Sequence, residues 1–240
     1  MYSVARLGTF STEFERALSP GTLQAVSVVE HSTGVSSAKS AGQVTICPPG
    51  KAVFLDRDGV INENRADHVK CWDEFHFLPG APEAIARLTH AGLRVFIVTN
   101  QAVINRGVVS RDVIDAINQK MVAELERCGG RIEAVAFCPH RPEELCGCRK
   151  PEPGLLLGLA SRHGLDLPQS VMIGDAINDV EAGLAAGCQA ILVLTGRGPE
   201  QLSLARTVNR AGFRVARDLN AAVDLLISGM GVGGQIENAG

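Results

Sequence analysis

Between residues 51 and 228, short apolar runs alternate with longer stretches in which apolar positions recur every three or four residues. Continuous runs such as AVFL and VFIV, bounded by turn-prone residues, have the pattern of strands buried on both faces. They predict strands at 52–56, 93–98, 132–137, 170–174 and 189–194, with a weaker one near 213–216. The helical period predicts helices at 81–91, 110–128, 153–164, 177–187 and 218–228. Pro82 and Pro153 fall in first turns, where a missing N–H is harmless, and Gly92, Gly129 and Gly187 follow as C-terminal stops. Regular strand–helix alternation argues for an α/β fold built on a doubly wound parallel sheet. There is no internal repeat and no second core.

The ends of the chain read differently. Residues 1–50 are rich in Ser, Thr, Gly and Ala and lack a strong apolar period. They predict a disordered N-terminal extension with one short helix near Ser11 to Leu18; a mispredicted start codon would look the same. Arg6 is followed by no continuous apolar segment of the signal type. Residues 229–240 form a glycine-rich tail, also expected to be disordered. The folded domain is therefore placed at 51–228.

At 240 residues and 45% hydrophobic content, the chain can bury a full core. A formal charge of −3 gives no electrostatic case for nucleic acid or an anionic membrane. No apolar run reaches the roughly 18 residues of a membrane span. Of the seven cysteines, Cys47, Cys71, Cys128 and Cys188 carry no spacing signal. An odd total predicts a reducing cytoplasm rather than a secreted disulfide scaffold. The expected protein is a monomer.

Candidate chemistry gathers where the predicted strands end. KAVFLDRDGVI delivers Asp56 and Asp58 to a strand's carboxyl edge, where open α/β sheets build ligand sites; alone, the pair could equally be a turn or a solvated strand end. LRVFIVTNQ ends in Thr99, Asn100 and Gln101, Cys148-Arg149-Lys150-Pro151 places two cations before a helix, and VMIGDAIND ends in Asp175 with Asp179 four residues on. Together, in this order, these motifs resemble the haloacid dehalogenase superfamily of phosphohydrolases over roughly residues 51–196.

The resemblance implies a chemistry that the residue types can support. A phosphate monoester is a dianion, so an attacking carboxylate needs cations beside it. Asp56 is the expected nucleophile, forming an aspartyl-phosphate that water later cleaves. Asp56, Asp175 and the backbone carbonyl of Asp58 are expected to hold Mg2+, a hard cation that prefers oxygen ligands, with Asp179 orienting that shell. Lys150 and the Thr99 hydroxyl would stabilise the transferring phosphoryl group, and Asp58 would act as general acid and then base.

A second constellation is FCPHRPEELCGCRKP, in which Cys138, His140, Cys146 and Cys148 lie within eleven residues. Three thiolates and one imidazole suit a closed, tetrahedral structural Zn2+. Chance clustering and disulfides are the alternatives, and a disulfide network leaves His140 unexplained. The loop ends at Arg149-Lys150, so the metal would fix the phosphate-binding cations in place.

Zinc loop and acids together resemble the D-glycero-D-manno-heptose 1,7-bisphosphate 7-phosphatase branch, through FLDRDGVINEN, FHFLPGAPEAI, IVTNQAVINRG, CGCRKPEPGLLL and MIGDAINDVEAG. The histidinol-phosphate phosphatase branch is the alternative. Departures fall where substrate is read: Ala176 stands where a basic residue is common, Asn64 to Asp67 replaces a His-Gly-Tyr segment, and Ala102-Val103 follows Gln101. Expected contacts with a small phosphorylated sugar are Asn64, Arg65, Asp67, Asn100, Gln101 and Arg149, with His68 a further candidate. Trp72, Phe75 and Phe77 read as packing residues. Neither inter-motif insertion is large enough for a separate cap domain. A zinc-stabilised protein that binds sugar phosphates without turnover is the alternative of another class, and the full set of acids and Lys150 argues against it.

Overall fold

The structure, a computed structural model, describes residues 27–30, 50–207 and 211–228. Its strands are β1 (Ser27–Glu30), β2 (Ala52–Leu55), β3 (Arg94–Asn100), β4 (Ile132–Cys138), β5 (Val171–Gly174), β6 (Gln189–Val193) and β7 (Arg214–Ala216). Its helices are α1 (Ala81–His90), α2 (Arg111–Arg127), α3 (Gly154–His163), α4 (Ile177–Ala185), α5 (Gly198–Thr207) and α6 (Leu219–Ser228). The strands form one sheet in the order β1-β4-β3-β2-β5-β6-β7. All neighbours from β4 to β7 are parallel, as the strand–helix alternation predicts.

Alternation along β2 shows how the sheet is covered on both faces. Val53 and Leu55 join the apolar cluster with Ile85 and Leu88 of α1, Ile114 and Leu125 of α2 and Ala222 and Val223 of α6. Ala52 and Phe54 point the other way, to Leu155, Leu156 and Leu159 of α3 and Ala182 of α4. Phe54 and Phe96 pack with ring centroids 5.7 Å apart, and both are fully buried. Truncating either to alanine would cost about 3–5 kcal/mol.

Strand order reverses direction between β2 and β5. From β2 the chain steps outward to β3 and β4; it then returns to β5 on the other side and steps outward to β6 and β7. The carboxyl ends of β2 and β5 therefore open onto a crevice, the place where doubly wound sheets bind ligands.

Two features correct the sequence reading. Ser27–Glu30 falls within the residues expected to be disordered, yet it pairs antiparallel with β4, Ser27 opposite Phe137 and Glu30 opposite Ala134. The sheet is thus mixed at this edge. A four-residue run with two valines is too short to stand out in a Ser- and Gly-rich background, and its pairing partner lies a hundred residues away. Helix α5 was also not predicted, because among its residues only Gly198 and Ala205 are fully buried and Gly196, Gly198 and Pro199 read as a loop. The predicted helix near Ser11 to Leu18, the tail 229–240 and Cys47 lie outside the described residues.

The segment between Asp58 and Pro79 is a compact lining, not a domain. Isolated bridges join Asn62 to Asp58 and to Phe77, and a short 3-10 turn spans Trp72–Glu74. Trp72 stacks on Phe75 at 5.1 Å and Phe75 meets Phe77 edge-on at 5.2 Å, so these aromatics do pack on one another. Among the described residues no helix is long and apolar enough to cross a membrane.

Candidate active site

Asp56 follows the last residue of β2, and its backbone N–H donates to Ile173 O at 2.9 Å, extending the ladder by one step before the chain turns away. Asp175 follows β5 in the same way, and Asp179 lies on the first turn of α4. The three carboxylates each offer an oxygen within 4.8 Å of the others, and all three side chains are buried. Lys150 enters from the far side. Its ammonium meets Asp56 Oδ1 at 2.8 Å and Asp179 Oδ1 at 2.6 Å, and donates to Val98 O at 2.7 Å.

One ammonium against three buried carboxylates leaves the cluster short of positive charge. Burial, together with repulsion from Asp179, Asp175 and Asp58, pushes Asp56 up to about 7 despite the pull of Lys150. Burial and Asp179 push Asp175 up to about 6, against a hydrogen bond from the Arg197 N–H. Burial opposes the charge on Lys150, but Asp179 and Asp56 outweigh it and hold its pKa above the ordinary value. Asp175 Oδ2 accepts from Arg197 N at 2.8 Å, while the buried Oδ1 has no hydrogen-bond partner among the described residues. An oxygen orphaned among carboxylates suits a hard cation. The backbone is shaped around that side chain: Gly59 has φ +90°, and a Cβ there would come within 2.2 Å of Asp175 Oδ2.

Asp58 has a different environment. Its Oδ2 accepts from Arg57 Nη2 at 2.9 Å and Nε at 3.2 Å and from Gln101 Nε2 at 2.9 Å, and its Oδ1 accepts from Asn62 Nδ2 at 2.9 Å. Burial pushes its carboxyl up, but the Arg57 charge and the bonds from Asn62, Gln101 and Arg57 prevail and hold it below the usual range. Two acids two residues apart are thus driven in opposite directions by their surroundings.

A cavity of about 140 Å3 opens onto this cluster, lined by Asp56, Asp58, Thr99 and Lys150 together with Asn64, Arg65, Asn100 and Arg149. Of the predicted substrate contacts, these last four reach the cavity, as does His68. Asn100 brackets Lys150, donating to its carbonyl at 3.0 Å and accepting from its N–H at 3.1 Å. Two predicted contacts stand elsewhere. Gln101 is buried behind the site, where its amide ties Thr99 Oγ1 at 3.0 Å to Asp58. Asp67 faces solvent and holds Lys70 at 2.6 Å and Arg65 at 3.1 Å, so its effect on the cavity passes through Arg65. The sequence pattern does not single out Arg57, Asn62, Asn118, Asn178 or Arg197. Arg197 and Asn178 line the cavity, and the loop and helix that carry them give no local motif.

Cys138, His140, Cys146 and Cys148 converge as their spacing predicts. The Sγ atoms lie 3.4–3.6 Å apart, and His140 Nδ1 is 3.4 Å from Cys138 Sγ and 3.3 Å from Cys148 Sγ. A disulfide needs sulfurs about 2 Å apart, so these thiols are unbridged. A tetrahedron with metal–sulfur bonds of about 2.3 Å has edges of about 3.8 Å, near the spacing seen. The loop between the ligands is pinned at Glu144, which accepts from Arg141 N at 2.6 Å and from Asn105 Nδ2 at 2.9 Å. Arg149, next to Cys148, donates to His140 O at 3.1 Å.

Comparison with known proteins agrees with this geometry. A HAD-hydrolase-like family model matches residues 147–222. The D-glycero-β-D-manno-heptose-1,7-bisphosphate 7-phosphatase of Bordetella bronchiseptica is 41% identical over 177 residues, 74% of this chain and 98% of the relative. The enzyme of that name from Pseudomonas aeruginosa is 41% identical, covering 62% of this chain and 84% of the relative. The crystal structure of the B. bronchiseptica D,D-heptose 1,7-bisphosphate phosphatase, complexed with magnesium and phosphate, superposes with a TM-score of 0.70 at 39% identity, over 75% of this chain and 99% of that one. A HAD-like phosphatase from Mesorhizobium loti superposes with a TM-score of 0.66 at 28% identity, over 90% of this chain and 97% of that one. The acids at the β2 and β5 ends, the buried lysine and these relatives lead to one conclusion: the chain belongs to the D-glycero-β-D-manno-heptose-1,7-bisphosphate 7-phosphatase family of haloacid-dehalogenase-like phosphoric monoester hydrolases.

Proposed function

We propose that the chain removes the 7-phosphate of D-glycero-β-D-manno-heptose 1,7-bisphosphate through an aspartyl-phosphate on Asp56. The names of its relatives support the substrate. The observation that carries the chemistry is the buried Oδ1 of Asp175 beside Asp56, an oxygen with no hydrogen-bond partner among the described residues. In this reading Asp56, Asp175 and the Asp58 carbonyl hold Mg2+, which neutralises charge between carboxylate and phosphate. Both oxygens of Asp179 are in use, on Lys150 and on Ala176 N, which suits it to aiming the lysine.

Asp56 attacks phosphorus, the P–O bond to the sugar breaks, and the leaving oxygen takes a proton from Asp58. Asp58 then removes a proton from water, whose oxygen attacks the same phosphorus and restores the Asp56 carboxylate. The lowered pKa of Asp58 suits the second transfer directly. For the first, the negative charge of an arriving phosphate pushes its pKa back up. Lys150 and Thr99 stabilise the transferring group, and Asn64, Arg65, Asn100 and Arg149 contact the rest of the substrate.

In the same reading the Cys3His cluster holds Zn2+ in a closed structural site that fixes Arg149 and Lys150, and its unbridged thiols suit a reducing cytoplasm. Phosphate release from heptose 1,7-bisphosphate, histidinol phosphate and fructose 1,6-bisphosphate tests the substrate. A tenfold preference in kcat/KM for histidinol phosphate, about 1.4 kcal/mol at the transition state, would rule out the heptose assignment.

A further inference from the structure

Arg57 is the largest fully buried side chain among the described residues, and it sits between the two acids of the site. Its guanidinium is restrained from three directions. Nε and Nη2 fork onto Asp58, Nη1 donates to Asn118 Oδ1 at 3.1 Å, and the Phe75 ring lies 6.0 Å below its central carbon. Asn118 belongs to α2, 61 residues along the chain, and is itself fully buried. Its Nδ2 has no hydrogen-bond partner among the described residues. A buried amide half of which is unsatisfied weakens the fold, and a buried ion pair adds little stability over apolar packing. The arrangement makes physical sense if its product is direction rather than stability. Asn62 and Gln101 complete the grip, so Asp58 is held by side chains from its own turn and from the end of β3, with Asn118 of α2 behind Arg57.

We propose that Arg57, anchored by Asn118 and Phe75, is the positioning residue that aims the Asp58 carboxyl for its two proton transfers. Arg57 does not line the cavity, and its side chain acts through Asp58. A lysine cannot replace it, because a single ammonium has no planar fork to fix both carboxylate oxygens. The inference rests on the proposed role of Asp58.

Leaving-group dependence separates aim from folding. Heptose 1,7-bisphosphate expels an alkoxide that needs a proton, whereas p-nitrophenyl phosphate expels a phenolate that does not. Arg57→Met, Arg57→Lys and Asn118→Leu are compared with the parent and with Asp58→Asn, with Mg2+ half-saturation and KM measured for each. The expected result is a loss of about 10²–10⁴-fold in kcat on the heptose substrate for both Arg57 variants. Their rapid first release of p-nitrophenolate survives, followed by slow turnover, because the second transfer is also impaired. KM and Mg2+ half-saturation stay within about threefold of the parent, and Asn118→Leu shows a smaller loss of the same pattern. Loss of the rapid first release of p-nitrophenolate to the same degree as kcat on the heptose substrate, full activity in Arg57→Met, or rescue by Arg57→Lys would overturn the inference. Should Arg57→Met not fold, Asn118→Leu decides by the same pattern. If the parent releases no phosphate from either ester, it is the proposed function that fails; if Asp58→Asn shows the pattern and the Arg57 variants do not, only the positioning role fails.

Discussion

Lys150 Nζ lies 2.8 Å from Asp56 Oδ1, and both side chains are almost wholly shielded from water. The pair joins the two ends of the site: Asp56 comes from the central strand, and Lys150 from the end of the Cys/His loop. Removing the cation would leave Asp56, Asp175 and Asp179 mutually repelling. Lys150→Met should therefore lower stability by about 3–5 kcal/mol in the absence of Mg2+ and reduce kcat by orders of magnitude. Added Mg2+ should restore more of the melting temperature than of the activity. Thermal melts and phosphate release, with and without Mg2+, check both parts.

Asp56→Asn should abolish turnover, because an amide neither attacks phosphorus nor compensates a cation. Asp58→Asn keeps the carbonyl and should retain Mg2+ binding while slowing turnover about 10²–10⁴-fold. Near-parental activity in the Asp56 variant would end the aspartyl-phosphate reading.

Stability should depend on pH in a metal-sensitive way. Asp56 at about 7 and Asp175 at about 6 titrate above the ordinary carboxylate range of an unfolded chain. Between about pH 4 and 7 the folded state therefore holds more protons than the unfolded one. The stability these groups contribute is present below that window and lost as pH rises through it. In the proposed site Mg2+ would bind the ionised carboxylates, so the rise in Tm it produces should be larger near pH 8 than near pH 5. A shift independent of pH would contradict the electrostatic account of the cluster.

Cys146→Ser should lower bound zinc, since a hydroxyl replaces a thiolate poorly. The loop carrying Arg149 and Lys150 should loosen, reducing both Tm and kcat/KM, and added Zn2+ should not replace Mg2+ in turnover. Elemental analysis of freshly purified protein comes first: folded, fully active protein without zinc would refute the structural role.

Much of this arrangement was legible because each motif marks the end of an apolar strand. The runs before Asp56, Thr99 and Asp175 could be read as strands, and parallel order then brings their ends to one edge. The Cys/His loop was legible because all four side chains fall within one short segment. What the sequence hid was long-range. Asn118 holds Arg57 across 61 residues from a helix position that reads only as part of an amphipathic pattern. Gln101 adjoins Thr99 and Asn100 in sequence, yet strand geometry turns it inward to brace Asp58. Asp67 was placed at the substrate as part of the Asn64–Asp67 segment, and the fold directs its carboxylate to Lys70, Arg65 and solvent. Helix α5 and β1 lack a local apolar signal because their packing is slight or their partner distant.

The short Asp58–Pro79 segment, which packs as an aromatic cluster and forms no cap, has a consequence for timing. With no lid to open among the described residues, substrate entry and phosphate departure should not wait on a hinge. The cavity beside the buried Asp56 is not covered by a lid among the described residues, so enclosure would not protect the proposed aspartyl-phosphate. Its lifetime should then be set by how quickly a correctly aimed base turns a solvent molecule into a nucleophile. Slower solvent diffusion should then leave kcat nearly unchanged, whereas small disturbances of that base should let the covalent species accumulate.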